Sequence, residues 1–137
     1  MNYIDKTIEE AKKSLLSEDV PIGALIVLND EIISYGYNTR EKDYSVLGHA
    51  EINAIEQATR KLKRWNLSDC ELYVSLEPCS MCKEIIKQAR LSKVYYLLSK
   101  PDSKKEYDKT KFIKLKSNSE QMYANILSEF FKKRRFF

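Results

Sequence analysis

The sequence predicts an α/β protein, a three-layer α/β/α sandwich around a mixed central sheet of about five strands, and three observations carry that prediction. Short apolar runs rich in strand formers alternate with apolar stripes at helical spacing. Two of the runs are separated only by Asn29-Asp30, a hairpin signal that fixes one antiparallel pair. The later runs are separated by amphipathic helices, the connection that parallel strands require, so parallel pairing is expected elsewhere.

Taken in order, Ile4, Ile8, Ala11 and Leu15 recur at helical spacing, and residues 2–17 read as an amphipathic helix. The run from Pro21 to Leu28 reads as a strand, and Asn29-Asp30 turns it into a second over residues 31–37. Residues 38–48 are mostly polar and contain Gly48, which predicts a loop. Ala50, Ala54, Ile55, Ala58 and Leu62 form a helical stripe over residues 49–63. Leu72 to Ser75 is a short strand. Pro78 then opens a helix through about Arg90, at the first turn, where its missing N–H does no harm. Val94 to Leu98 is a fourth strand, and Phe112 to Leu115 a fifth that its lysines mark as an edge. Residues 119–133 form a final helix running into Lys132-Lys133-Arg134-Arg135-Phe136-Phe137. No internal repeat or low-complexity segment divides the chain, and residues 1–137 read as one domain.

Composition narrows the function classes. Of 137 residues, 43% are hydrophobic and 32% charged, which excludes a disordered or fibrous chain. Gly and Pro number six together, about 4% against a usual ~12%, which argues against flexible linkers. No apolar stretch approaches the ~20 residues that span a bilayer. Residues 1–10 lack the apolar core of a signal peptide, so the expected compartment is the cytoplasm. Three cysteines, an odd number, favour metal or catalytic use over a disulfide scaffold. The net charge of +4 is uneven: residues 100–137 hold eleven Lys/Arg and five Asp/Glu, a balance of +6, whereas residues 1–99 sum to −2. A basic segment on a near-neutral body points to a polyanionic partner, nucleic acid first, with a solvated surface as the plainer reading.

The chemistry is carried by two clusters. His49 is the only histidine, Glu51 follows two residues later, and two cysteines fall in Pro78-Cys79-Ser80-Met81-Cys82. Both clusters sit where a helix starts. Cysteines three apart share a helix face and can grip one ion, and a helix N-terminus favours the thiolates that zinc binds. With His49 as third ligand, the fourth tetrahedral position stays open, which is the catalytic rather than the structural arrangement. One Zn²⁺ per chain is expected. His49 and Glu51, two apart, do not share a face, so Glu51 is expected to act as a base toward water rather than as a ligand. His-x-Glu with Pro-Cys-x-x-Cys is the signature of zinc nucleobase deaminases. The joint pattern arises by chance on the order of 10⁻⁴ times in a chain of this composition. Each half alone has a plainer reading, a redox Cys-x-x-Cys or a satisfied lone histidine. Cys70 reads as a small buried hydrophobe.

On these motifs the chain resembles the cytidine deaminase-like superfamily, and within it the bacterial tRNA-specific adenosine deaminases that convert wobble adenosine to inosine. The resemblance covers roughly residues 5–98 and returns in the last helix. It rests on Val20-Pro21-Ile22-Gly23-Ala24, His49-Ala50-Glu51-Ile52, Trp65-Asn66-Leu67, the segment from Leu72 to Cys82, and Leu127 to Arg135. It implies that His49, Cys79 and Cys82 hold the zinc, that Glu51 is the proton shuttle, and that Asn38 hydrogen-bonds the target nucleoside. It further implies that Ile22, Gly23 and Ala24 line the pocket, and that the protein is a homodimer. The last helix would face the tRNA anticodon loop, with Lys132, Lys133, Arg134 and Arg135 as candidate contacts. Two segments depart from the family pattern. Lys83-Glu84-Ile85 stand where small residues are usual near the dimer interface, and residues 99–111 contain no glycine.

The leading expectation is therefore hydrolytic deamination of adenosine in tRNA. The alternative is a deaminase of a free base or nucleoside of the guanine, cytosine or cytidine type. An RNA-binding module with a structural zinc ranks lower because it leaves Glu51 and the open coordination position unexplained. The tail also has a plainer reading, since cations at a helix C-terminus stabilise its dipole without touching RNA.

Overall fold

Short polar caps and left-handed residues set the ends of most elements. Asn2 begins helix α1 (Tyr3–Lys13) by accepting from the Ile4 N–H at 3.1 Å, and a 3-10 turn (Ser14–Ser17) follows. Strands β1 (Gly23–Leu28) and β2 (Glu31–Tyr37) are joined at Asn29 and Asp30, whose φ values of 51° and 63° make the tight hairpin turn. One turn of helix, α2 (Arg40–Asp43), precedes α3 (Ala50–Leu62), β3 (Glu71–Leu76), α4 (Ser80–Gln88), β4 (Lys93–Leu98), β5 (Lys111–Lys114) and α5 (Glu120–Arg134). The computed structural model describes residues 2–101 and 109–134.

The five strands form one sheet in the order β2-β1-β3-β4-β5. β3 and β4, joined by α4, pair in parallel, β5 pairs in parallel with β4, and β5 is the expected edge. The pairing expected for β1 is corrected: β1 runs antiparallel to β3 as well as to β2. The helix α3 does join two parallel strands, β2 and β3, but the crossover steps over β1, which lies between them. Residues 38–48, expected as loop, contain α2 because the buried Asp19 accepts from the N–H groups of Glu41 and Lys42 at 2.7 and 3.2 Å. Pro78 precedes α4 rather than occupying its first turn, since Cys79 is the capping residue.

Alternation along the strands feeds two cores. Ala24, Ile26, Leu72, Val74 and Val94 pack with Ala50, Ala54 and Ala58 of α3 and Ile86 of α4. On the other face Leu97 packs with Ile4, Ile8 and Ala11 of α1 and with Tyr123 and Leu127 of α5. Helices thus cover both faces, the expected three layers. Two glycines set how closely they do so. A Cβ on Gly23 would lie 1.9 Å from the Thr7 carbonyl oxygen in α1, and one on Gly36 would lie 2.2 Å from the Ala50 carbonyl oxygen in α3.

Candidate metal centre

The two sequence clusters meet at the starts of α3 and α4. His49 caps α3 and Cys79 caps α4, yet neither side chain bonds to its own helix. The Ala50 N–H is instead met by the Asn38 side-chain oxygen at 2.8 Å, so Asn38 does the capping that His49 does not. His49 is thereby left to face the cysteines. Its Nδ1 lies 3.4 Å from the Cys82 Sγ and 3.9 Å from the Cys79 Sγ, and all three atoms fall within 4.8 Å of one another. Tetrahedral zinc, with bonds of about 2.0 Å to nitrogen and 2.3 Å to sulfur, separates such ligands by ~3.6 Å. The donor set and its spacing fit that ion.

Electrostatics are consistent with the assignment of His49 and qualify that of Cys82. Burial, with Arg40 and Lys100 nearby, pushes the His49 pKa down and favours the neutral imidazole that binds metals. Burial pushes the Cys82 thiol well up, and Glu51 and Cys79 push it further. The helix N-terminus does not by itself favour a thiolate at Cys82. A coordinated cation supplies that charge directly. Glu51 lies outside the ligand group, in the first turn of α3, with 4% of its surface exposed. Burial raises its carboxyl to about 7, opposed by hydrogen bonds to its own backbone and to Cys82. A carboxyl in that range accepts and returns protons at neutral pH.

His49 and Cys79 open onto a cavity of about 830 Å³ that Ile22, Asn38, Arg40 and Lys100 also line. Of the three residues expected in its wall, only Ile22 is there. Gly23 is small because α1 crosses it, and Ala24 is fully buried in the core under α3. Phe130 and Phe131 of α5 border the same cavity, their rings edge-on with centroids 5.3 Å apart. Lys132 and Lys133 are exposed, and Arg134 ends the helix. Arg135, Phe136 and Phe137 lie outside the described residues, as does most of the glycine-free segment. A larger groove of about 1180 Å³, between the 3-10 turn and α5, contains none of the ligand residues.

Lys83 does not present a free cation, because it pairs with the buried Glu77 at 3.1 Å and sits over the Phe112 ring. Glu77 also accepts from the Lys100 N–H at 3.0 Å, which ties the chain beyond β4 to the cavity wall. Cys70 is buried, and its thiol is pushed up to about 11 by burial and by Asp69, which leaves it inert. Sequence reasoning missed Asp19, Ser75, Glu77 and Tyr123. Each has a partner more than 20 residues away in the chain, which no local pattern marks.

A five-stranded mixed sheet carrying a His/Cys/Cys group at the starts of two helices is the architecture of cytidine deaminase-like proteins. The chain belongs to the MafB19-like deaminase family, whose sequence model matches residues 1–135. A tRNA-specific adenosine deaminase of Bacillus subtilis (strain 168) is 42% identical over 94 residues, which cover 69% of this chain and 58% of that protein. Its namesake from Rickettsia bellii (strain RML369-C) is 42% identical over 93 residues, covering 66% of this chain and 64% of that one. The chain thus spans less than two thirds of the length of these relatives. Among solved structures, one from "Biochemical and Structural Studies of A-to-I Editing by tRNA:A34 Deaminases at the Wobble Position of Transfer RNA" superposes with a TM-score of 0.75 at 28% identity, covering 82% of this chain and 97% of the other. A guanine deaminase from Bacillus subtilis gives 0.69 at 27% identity, covering 100% and 96%. Among the described residues, no helix is long and apolar enough to cross a membrane.

Proposed function

We propose that this protein is a zinc-dependent enzyme that hydrolyses adenosine to inosine and ammonia at the wobble position of tRNA. The observation that carries the reading is the His49, Cys79 and Cys82 group opening onto a cavity with the carboxyl of Glu51 buried beside it. One imidazole and two thiolates would hold the ion, which when bound supplies Lewis-acid activation of water. Glu51 takes a proton from the attacking water and delivers it to the purine ring nitrogen, then serves the departing amine. Asn38 spends its side-chain oxygen on Ala50 and offers its amide N–H groups to the nucleoside. Ile22 forms the apolar side of the seat.

Two features favour adenosine in tRNA over a free base. The 40–42% identical relatives carry that name, and α5 brings Phe130 and Phe131 to the cavity and continues into the exposed Lys132 and Lys133. In this reading Lys132, Lys133, Arg134 and Arg135 meet phosphates of the anticodon loop, and residues 1–137 work as one domain, as a homodimer in the cytoplasm. The guanine deaminase likeness supports the alternative of a free base or nucleoside. Incubation of zinc-loaded protein with total tRNA, and separately with adenosine, guanine and cytidine, tests both. Inosine is expected in the tRNA alone. Conversion of guanine or cytidine with unchanged tRNA would replace this reading by the alternative.

A further inference from the structure

We propose that Tyr123 is a positioning residue of the pocket, its hydroxyl holding the Pro21–Gly23 wall in place from the C-terminal helix. The inference rests on the deaminase reading above. Tyr123 is fully buried in α5. Its hydroxyl donates to the Pro21 carbonyl at 2.8 Å and accepts from the Ser75 hydroxyl at 2.9 Å. Ser75 in turn accepts from the Gly23 N–H at 3.1 Å. The relay therefore leaves and rejoins the main chain within three residues.

Its location explains what it is for. The β1–β3 ladder begins at Ala24↔Val74, and one residue earlier the side chain of Ser75 takes the N–H that the ladder leaves. Here β1 peels away from β3, and Val20 and Ile22 turn toward the cavity. The Ile22 N–H bonds back to Val20 at 2.9 Å, and the Ile22 carbonyl accepts from the Asn38 N–H at 3.1 Å. Asn38 then caps α3 through Ala50, between His49 and Glu51. Hydrogen bonds joined through the Pro21–Gly23 main chain thus link α5 to the start of α3. A phenylalanine would pack equally well between α1 and the sheet but would leave the Pro21 carbonyl buried and unpaired. The hydroxyl serves the wall rather than the core.

The test compares Tyr123→Phe and Ser75→Ala, which break the relay at different bonds, with Thr110→Val. The last removes another buried hydroxyl bond, from Thr110 to the Leu91 carbonyl at 2.8 Å, away from the cavity. Loss of one such bond corresponds to about tenfold in a local equilibrium. Amide exchange at Gly23 and Asn38 should therefore quicken about tenfold in both relay variants and remain unchanged in Thr110→Val. On tRNA, KM should rise by about the same factor, with kcat little changed and metal content unaltered, because the ligands and Glu51 are held from α3 and α4. Should either relay variant fail to fold, the other carries the measurement. Wild-type exchange at Gly23 and Asn38 in the relay variants would overturn the proposal, and so would an equal effect of Thr110→Val. An inactive wild type would overturn the deaminase reading instead, and the exchange experiment would still judge Tyr123.

Discussion

Replacing Glu51 by glutamine preserves shape and removes proton transfer, so Glu51→Gln separates chemistry, metal binding and stability in one variant. Metal content should stay at the wild-type level because the carboxyl is outside the ligand group. Deamination should fall by ~10²–10⁴-fold, the usual contribution of a general acid–base group. The stability effect follows from burial. In the metal-free chain the carboxyl rises from an ordinary 4.5 to about 7. A folded-state value above the unfolded one means that the folded chain holds the proton more tightly. The resulting stability is present in full below pH 4.5 and is lost as pH rises through 7. Keeping an ionised carboxylate buried above that range costs roughly 3 kcal/mol, and glutamine avoids it. New partners for the buried amide take back about 1 kcal/mol. Chelator-treated Glu51→Gln should therefore be more stable than wild type by about 2 kcal/mol at high pH, with the advantage gone at low pH. Urea unfolding of both proteins across pH reads the difference, and the contribution of His49 cancels. Identical pH dependence in the two proteins would refute the burial argument, and loss of metal would make Glu51 a ligand.

Three further outcomes are expected. Cys82→Ala should lose the metal while Cys70→Ala keeps it, by metal analysis of purified protein, although both side chains are fully buried. Gly23→Ala should destabilise the chain by about 3 kcal/mol or more in thermal unfolding, since its Cβ meets the backbone of α1 rather than a movable side chain; wild-type stability would show that α1 yields freely. Neutralising Lys132, Lys133, Arg134 and Arg135 should weaken tRNA binding and lower the log–log salt slope by about 0.7–0.9 for each phosphate left without its cation. An unchanged slope would assign these cations to the helix end alone.

The parts of the molecule legible in the sequence are those specified by neighbours. Asn29 and Asp30 announced the hairpin because both tolerate positive φ. The His-x-Glu and Cys-x-x-Cys spacings, each within one helical turn, mark His49, Cys79 and Cys82, whose donor atoms the fold brings within 4.8 Å of one another. What escaped was set at long range. The antiparallel β1–β3 pairing depends on a strand inserted between two others. The residues Pro21 and Ile22 look like strand but leave the sheet, because the carbonyl of Pro21 is bonded 102 residues away at Tyr123. The resemblance places Gly23 in the pocket wall, whereas its missing side chain answers to the backbone of α1, which no local pattern discloses.

The insertion of β1 between β2 and β3 makes the metal centre depend on the centre of the sheet. β2 leads through α2 to His49, β3 leads directly to the cysteines, and β1 lies between those two strands. His49 and Cys79 stand 30 residues apart in the chain. A half-formed sheet therefore offers a metal ion only fragments of a site, and tight capture should coincide with closure of the centre of the sheet. By the same linkage, bound ion stabilises the whole strand order, and a packing fault deep in β1 would register as weakened metal affinity although it touches no ligand.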